Sequence, residues 1–194
     1  MKYLILLTFI ITSMCFAGNH KDNHDHDHND HKDSHDHNHK KEIDGKKPLK
    51  AHQHGIGILN IVKEKNILVF EFELPGYDVV GFEYKAKKKD DIKKVKKAIN
   101  ILSDYSNMIE IDSSGKCNKK SSKADLLAEG NHTEFRSTYE MVCSNISKIK
   151  EIKINYFENF KNGEKLDVKI VSEEKSSTLE LDSQQSILKT ENYF

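Results

Sequence analysis

The sequence predicts an α+β domain, a mainly antiparallel β-sheet with one amphipathic helix, preceded by a disordered tail rich in His and Asp. Three observations support this prediction. Several short segments after residue 55 alternate apolar and polar residues, one segment has apolar residues at helical spacing, and residues 18–41 have no apolar side chain. Alternation is typical of half-buried strands, and a spacing of three or four residues is typical of a helix.

Residues 1–17 have the pattern of an export signal. Lys2 precedes an apolar run from Leu4 to Ile11, and Cys15-Phe16-Ala17 offers a small-x-small cleavage site before residue 18. The alternative is a lipoprotein signal with Cys15 as the lipid-bearing residue. A retained anchor is disfavoured because the apolar run is shorter than the ~18 residues that a membrane helix needs. We therefore expect a cleaved signal and a periplasmic protein without a membrane span.

Residues 18–50 form a tail and linker in which His and Asp dominate. Because residues 18–41 have no apolar side chain, nothing offsets the entropy lost on ordering, and we expect disorder. Residues 42–50 are a charged connector with Gly45 and Pro48 as breakers. Eight of the 11 His of the chain lie in the tail: His20, His24, His26, His28, His31, His35, His37 and His39.

This density of imidazoles predicts metal binding. Neutral imidazole is the commonest protein ligand for zinc and also suits nickel and copper. At three or four ligands per ion, eight His hold roughly two ions. The alternative interpretation is a solubilising linker or a pH-sensitive charged segment. We expect the tail to capture and buffer Zn²⁺, and composition alone does not separate zinc from nickel or copper.

Residues 51–190 carry the predicted α+β domain. The alternation predicts a first strand that opens at His52 and runs to Val62, a second strand over 68–74, and a loop over 75–87. Apolar residues at Ile92, Val95, Ile99 and Leu102 predict a helix over 90–103. Six further strands are predicted, at about 108–112, 116–128, 132–143, 151–157, 165–172 and 177–182.

Two cysteines remain after signal cleavage, Cys117 and Cys143. In an exported protein a pair is most simply a disulfide. A hairpin that turns at Gly130 would place the two nearly opposite each other. The alternative is a thiolate metal site or redox pair, but the chain has no C-x-x-C spacing, so we expect a structural bridge.

Only three His lie within the predicted domain. In an extended strand His52 and His54 would point to the same face, about 6.6 Å apart along the strand, and could lean onto one ion. His132 and the acidic side chains of Asp78 and Glu83 are candidates for the further ligands that zinc needs. The alternative treats His52 and His54 as the end of the tail and His132 as a surface residue.

No catalytic motif is apparent. The chain has no H-E-x-x-H, no G-x-S-x-G and no P-loop. Lys plus Arg and Asp plus Glu both number 31, and the resulting zero net charge argues against a general nucleic-acid binder. We expect a metal-binding protein that is not an enzyme. A zinc-dependent hydrolase is the less favoured alternative, because a zinc held by three His could activate water.

Two runs of the domain carry a family resemblance. The run from His52 reads His-Gln-His-Gly-Ile-Gly-Ile-Leu-Asn-Ile-Val, and the run from Leu74 to Tyr84 reads Leu-Pro-Gly-Tyr-Asp-Val-Val-Gly-Phe-Glu-Tyr. These runs resemble the ZrgA family of bacterial periplasmic zinc-binding proteins, whose pattern continues with a His followed by a Tyr-x-hydrophobic-x-Cys strand. His132, Tyr139 and Cys143 match that continuation.

The resemblance implies a zinc-binding protein of the periplasm that supports zinc acquisition. It implies a partner as well, a zinc uptake ABC transporter or its solute-binding protein. One position departs from the family pattern, since Tyr84 stands where the family usually has His. If that His is a ligand, the site here is weaker or is completed by Glu83; if it is structural, Tyr can replace it. A nickel or copper carrier of the same architecture remains the alternative.

Overall fold

The computed structural model describes residues 53–191, 193 and 194. The predicted signal peptide, the His- and Asp-rich tail and His52 lie outside the described residues. The described part forms nine strands in two sheets, with three α-helices between them. This arrangement confirms the predicted α+β class, although the sequence predicted one sheet.

The larger sheet has six strands in the order β4-β5-β2-β1-β7-β8. All neighbours are antiparallel except β1 and β7, which run parallel. The strands are β1 Ile56–Glu64, β2 Ile67–Pro75, β4 Cys117–Glu129, β5 His132–Cys143, β7 Lys165–Val171 and β8 Ser176–Asp182.

The smaller sheet has three antiparallel strands in the order β3-β6-β9. The strands are β3 Ile109–Ile111, β6 Glu151–Ile154 and β9 Ile187–Lys189, and the helices are α1 Gly76–Val80, α2 Lys89–Leu102 and α3 Tyr156–Asn159. Among the described residues, no helix is long and apolar enough to cross a membrane.

The core lies on one face of the larger sheet. Along β1 and β2 every second residue is buried, and Leu59, Ile61, Leu68, Phe70 and Phe72 are each at most 1% exposed. Fully burying one such side chain stabilises a fold by roughly 1.5–3 kcal/mol. This alternate burial confirms the two central strands that the period of two predicted from the sequence.

Helix α2 packs the C-terminal part of its apolar stripe onto this sheet, with Ala98 and Leu102 buried. Ile92, at the other end of the predicted stripe, is 38% exposed, and the lysines face solvent. The buried Tyr139 hydroxyl of β5 donates to the Leu102 carbonyl at 2.7 Å, which satisfies a carbonyl at the end of the helix. Ser122 of β4 bonds the Ser103 carbonyl at 2.7 Å in the same way. The sheet thus fixes where α2 ends.

The disulfide is present between Cys117 and Cys143, which face each other across β4 and β5. The hairpin closes at Glu129 and His132, so an uninterrupted ladder would put Cys117 opposite Ser144. The register shifts by one between Lys119 and Ser121, and this bulge brings Cys117 opposite Cys143. The pairing was predicted correctly although the bulge was not.

Three local predictions were wrong. The first strand begins at Ile56 and not at His52, because His54 and Gly55 form a turn in which Gly55 has φ +85°. The predicted loop contains α1, which begins directly after Pro75 ends β2. The predicted strand over 151–157 stops at Ile154, and Tyr156 begins α3.

Candidate metal centre at His54, Glu83 and His132

Three of the side chains predicted from the sequence meet at the carboxylate of Glu83. His54 Nε2 lies 3.0 Å from Glu83 Oε1, and His132 Nδ1 lies 3.0 Å from Glu83 Oε2. A carboxylate only accepts, so the imidazole nitrogen in each contact is assigned the proton. Both imidazoles are more than half exposed, whereas the Glu83 side chain is 16% exposed. We call these three residues the Glu83 cluster.

A turn before β1 presents His54. The Gly55 amide donates to Asp78 Oδ1 at 2.8 Å, and the Gly55 carbonyl accepts from the amides of Glu164 and Lys165, each at 2.8 Å. Gly55 has φ +85°, a backbone conformation that residues with a Cβ rarely adopt. These bonds fix the backbone one residue from His54.

The end of α1 presents Glu83. Gly81 terminates the helix with φ +83° and donates its amide to the Tyr77 carbonyl at 2.8 Å. Phe82 is buried and stacks on Tyr84 with ring centroids 4.6 Å apart. Because Phe82 is anchored in this way, the next residue, Glu83, is held near the first residues of β1 and β5.

The first position of β5 presents His132, directly after the two-residue hairpin loop. Its neighbour Thr133 is buried against Gly76, the first residue of α1. A Cβ at Gly76 would clash with Thr133 Oγ1 and lie 2.9 Å from the Phe82 carbonyl oxygen, so only glycine fits there. This close approach brings the segments that carry Glu83 and His132 together.

An aromatic ring of α1 holds the His54 imidazole. The rings of His54 and Tyr77 are stacked, with centroids 4.7 Å apart and planes 14° apart. Stacked rings of this kind interact by about 0.5–1.5 kcal/mol. Tyr77 covers one face of the imidazole, and the His54 side chain, which is 56% exposed, remains open to solvent on another side.

Two carboxylates close together have opposite electrostatic environments. Burial opposes ionisation of Glu83, but hydrogen bonds from His132 and His54 outweigh burial and hold the pKa of Glu83 below its ordinary value. Burial raises the pKa of Asp78, although the Gly55 amide and His54 act against that shift. Glu83 is therefore the carboxylate that is readily available as an anionic ligand.

The structure separates the remaining candidates from the cluster. Asp78 is 1% exposed and is occupied by the Gly55 amide and by the Tyr156 hydroxyl at 3.5 Å. The Tyr84 hydroxyl donates to Asp91 at 3.0 Å, which engages its polar end. His52 and the eight tail His lie outside the described residues. The prediction that His54 sits on an extended strand is wrong, since it lies in the turn before β1.

Sequence reasoning missed two supporting residues. It identified Asp78 only as a possible ligand, and it gave Tyr77 no role. Tyr77 and Asp78 are adjacent in α1, and both contact the turn that carries His54. No pattern in the sequence indicated α1, so nothing indicated that these side chains would face His54.

The cluster supplies the donor set that zinc prefers, two imidazole nitrogens and one carboxylate. In a tetrahedral zinc site, neighbouring N and O ligands lie about 3.3 Å apart, close to the 3.0 Å contacts found here. The imidazoles reach different oxygens of Glu83, however. In the part of the chain that the structure describes, no group of three or more His, Cys, Asp or Glu side chains is already arranged around one ion position.

Binding would therefore need an exposed imidazole to turn toward the oxygen that the other contacts. The exposure of His54 and His132 permits this movement. The residues present fit a zinc ion as cargo with three ligands from the described residues, and His52 is the nearest further imidazole in sequence.

The chain matches the model of a known protein family. The model of the family described as "ZrgA family zinc uptake protein" matches residues 51–190, which is most of the chain and includes all three residues of the Glu83 cluster. No curated protein matches the chain. The family match agrees with the resemblance of the His52 and Leu74 runs. The chain therefore belongs to the ZrgA family of zinc uptake proteins.

Proposed function

We propose that this protein is an exported zinc-binding protein of the periplasm that captures and buffers Zn²⁺ and supports its acquisition. Zinc is the cargo, and the protein performs no chemical reaction on it. The His- and Asp-rich tail over residues 18–50 would capture ions, and the domain would hold one ion at the Glu83 cluster. The proposal is supported by membership of a zinc uptake family.

The observation that carries the proposal is the pair of contacts on Glu83. Two exposed imidazoles from distant parts of the sequence, His54 and His132, meet one carboxylate whose pKa is lowered. An ionised carboxylate between two imidazoles attracts a dication. A neutral imidazole that leaves its contact with Glu83 carries its proton on the other ring nitrogen and binds the ion through the freed lone pair. Protonation of the imidazoles competes with the ion, so binding is expected to weaken in acid.

The tail extends this capacity. Its eight His, interleaved with six Asp between residues 18 and 41, would hold roughly two ions at three or four ligands each. With eight imidazoles and six carboxylates, many ligand sets are chemically equivalent, so these sites would exchange ions readily. The two parts would have complementary roles in zinc uptake, because the tail would collect ions and the domain site would hold one.

The signal pattern of residues 1–17 and the family together support export. In the periplasm, the expected recipient of the ion is a zinc uptake ABC transporter or its solute-binding protein. Cross-linking in intact cells, followed by mass spectrometry of captured partners, tests this assignment directly.

Isothermal titration calorimetry on a two-by-two set of proteins tests the function. The set consists of the mature protein, a variant that lacks residues 18–50, the double variant His54→Ala/His132→Ala, and the combination. We expect the deletion to remove most of the zinc stoichiometry and to leave about one ion. The combination is expected to bind none. An unchanged stoichiometry after the deletion would remove the tail from the mechanism.

Metal preference needs a separate measurement. Imidazole ligands also bind nickel and copper, and copper binds more tightly than zinc to most sites. Competition titrations of the deletion variant with Zn²⁺, Ni²⁺ and Cu²⁺ compare the domain site alone. Elemental analysis of untagged protein from its native periplasm then identifies the ion that the cell supplies.

A further inference from the structure

An apolar recess lies between α1 and α2, apart from the Glu83 cluster. Val79 and Val80 of α1, Ala98 and Ile101 of α2, and Phe160 after α3 line its apolar part, Asn159 contributes a polar side chain, and its volume is about 190 Å³. A cavity of about 150 Å³ is large enough to hold a benzene molecule. The recess therefore has room for one side chain of the size of Leu or Phe.

Two lysines of α2 contribute to the lining of this recess. Lys94 and Lys97 line it, and the segment over residues 85–97 holds eight Lys against two Asp, an excess of six positive charges. The two acidic groups are already engaged, since Asp90 pairs with Lys93 at 3.4 Å and Asp91 accepts from Tyr84. Within the described residues, neither Lys94 nor Lys97 forms an ion pair, and Lys94 lies 6.0 Å from the ring centroid of Phe82. The recess therefore combines an apolar part with two lysine charges that no described carboxylate neutralises.

We propose that this recess docks an acidic peptide segment of a partner protein, which inserts one large apolar side chain and places carboxylates against Lys94 and Lys97. The volume of the recess fits one apolar side chain of the peptide, and the excess of positive charge favours acidic residues on either side of that side chain. A concave recess of one side chain's size favours a peptide over an anionic lipid surface, which would meet a flat or convex face.

The recess and the Glu83 cluster share helix α1. Val79 and Val80 line the recess, while Tyr77 and Asp78 of the same helix contact the turn of His54. A segment docked here would lie against the element that positions the metal ligands, without contacting a residue of the cluster. The interaction needs no metal ion, so it stands or fails independently of the proposed zinc binding.

Nuclear magnetic resonance of the ¹⁵N-labelled mature protein with EDTA present tests the proposal. The probe is a synthetic peptide, Glu-Asp-Phe-Asp-Glu with blocked ends, titrated to about 1 mM, where even a weak complex is populated. We expect the largest amide shifts at Val79, Val80, Ala98 and Ile101. Peptides with the Phe replaced by Ala, or with amides in place of the carboxylates, are expected to lose most of the shifts.

A charge-reversed pair gives the matched comparison. Lys94→Glu/Lys97→Glu is expected to weaken peptide binding at least about tenfold, because two attractive contacts become repulsive. The control Lys123→Glu/Lys169→Glu reverses two exposed lysines on β4 and β7 and is expected to bind like the wild type. Because all four side chains are exposed, folding should be unaffected.

Three results would overturn the proposal. One is the absence of shifts at the recess over the whole titration. Another is equal binding by the Lys94→Glu/Lys97→Glu variant and its control. The third is binding of phosphatidylglycerol vesicles through Lys94 and Lys97 without binding of the peptide, which would make the surface a membrane contact.

Discussion

The Gly55 amide donates a hydrogen bond to the buried Asp78 carboxylate at 2.8 Å, and this bond joins the turn of His54 to helix α1. Gly55 and Asp78 are 23 residues apart in sequence. The Tyr156 hydroxyl approaches the other oxygen of Asp78, so the carboxylate connects three separate elements. One buried acidic side chain thus helps to position a candidate metal ligand that it does not touch.

Two replacements of Asp78 distinguish the effect of its hydrogen bond on stability from the effect of its charge. Asp78→Asn keeps an acceptor for the Gly55 amide and removes a charge whose ionisation burial disfavours. Asp78→Ala leaves that buried amide without a partner, which costs roughly 1–3 kcal/mol. We expect urea unfolding of the metal-free protein at pH 7 to show Asp78→Asn at least as stable as the wild type and Asp78→Ala clearly less stable.

The stabilities of the wild type and Asp78→Asn are expected to depend differently on pH. Because its pKa in the folded state is raised, ionisation of Asp78 disfavours folding above that pKa, and the effect disappears as the pH falls to about 4 and below. The stability difference between Asp78→Asn and the wild type is therefore expected to shrink in acid. A difference that grows with falling pH would contradict this account.

Replacing Glu83 tests the ligand role. Glu83→Gln has nearly the same shape but loses the anionic oxygen, so we expect zinc affinity of the domain to fall by more than the 10–100-fold that changes outside the ligand set produce. Zinc titration of the variant that lacks residues 18–50 isolates this site. The control is Asp91→Asn, a carboxylate that contacts Tyr84 and no residue of the cluster. Equal losses in both variants would show that Glu83 has no special role.

Glu83 also contributes to the stability of the metal-free protein. Its pKa is lowered in the folded state, so its stabilising contribution is present above its unfolded pKa of about 4.3 and is lost as the pH falls through the folded value. Comparing urea unfolding of the wild type and Glu83→Gln at pH 7 and at low pH checks this. We expect the two proteins to converge in acid, and a constant difference would be the contrary outcome.

Tyr77 tests whether ring stacking orients His54. The stack is worth about 0.5–1.5 kcal/mol, so Tyr77→Ala is expected to weaken zinc binding by the domain about 2- to 10-fold. Tyr77→Phe retains the ring and is expected to bind like the wild type. The comparison is informative because the Tyr77 side chain is 42% exposed, so its removal leaves the core intact. Identical affinities for both variants would exclude an orienting role.

The disulfide is expected to stabilise the domain rather than to bind metal. A bridge across 26 residues of separation contributes about 3.5 kcal/mol in the chain-entropy model. The double variant Cys117→Ser/Cys143→Ser is therefore expected to unfold at lower urea, with zinc stoichiometry unchanged under native conditions. Loss of one bound ion in the folded variant would assign the cysteines to a metal site.

The sequence predicted the strands well because their burial follows a period of two. Leu59, Phe70 and Tyr139 each lie on the buried face of a strand that alternation identified. The predicted disulfide is also present, although the bulge between Lys119 and Ser121 that completes its register leaves no local signal. Bulges depend on how two strands meet, which alternation in one strand does not reveal.

The candidate site was only partly predictable. His54, Glu83 and His132 were identified from residue type, and the structure brings them together. Their supports were not predictable, because α1 has only five residues and follows from tertiary packing rather than periodicity. Gly76 is the clearest case, since its need to be glycine comes from Thr133, which is distant in sequence.

The most direct test of the account is zinc titration of the variant that lacks residues 18–50, with and without His54→Ala/His132→Ala, at neutral pH. The account predicts about one ion bound by the first protein and none by the second, with both folded by circular dichroism. Equal binding by the two proteins, or no binding by the first, would contradict the claim that the Glu83 cluster holds the ion.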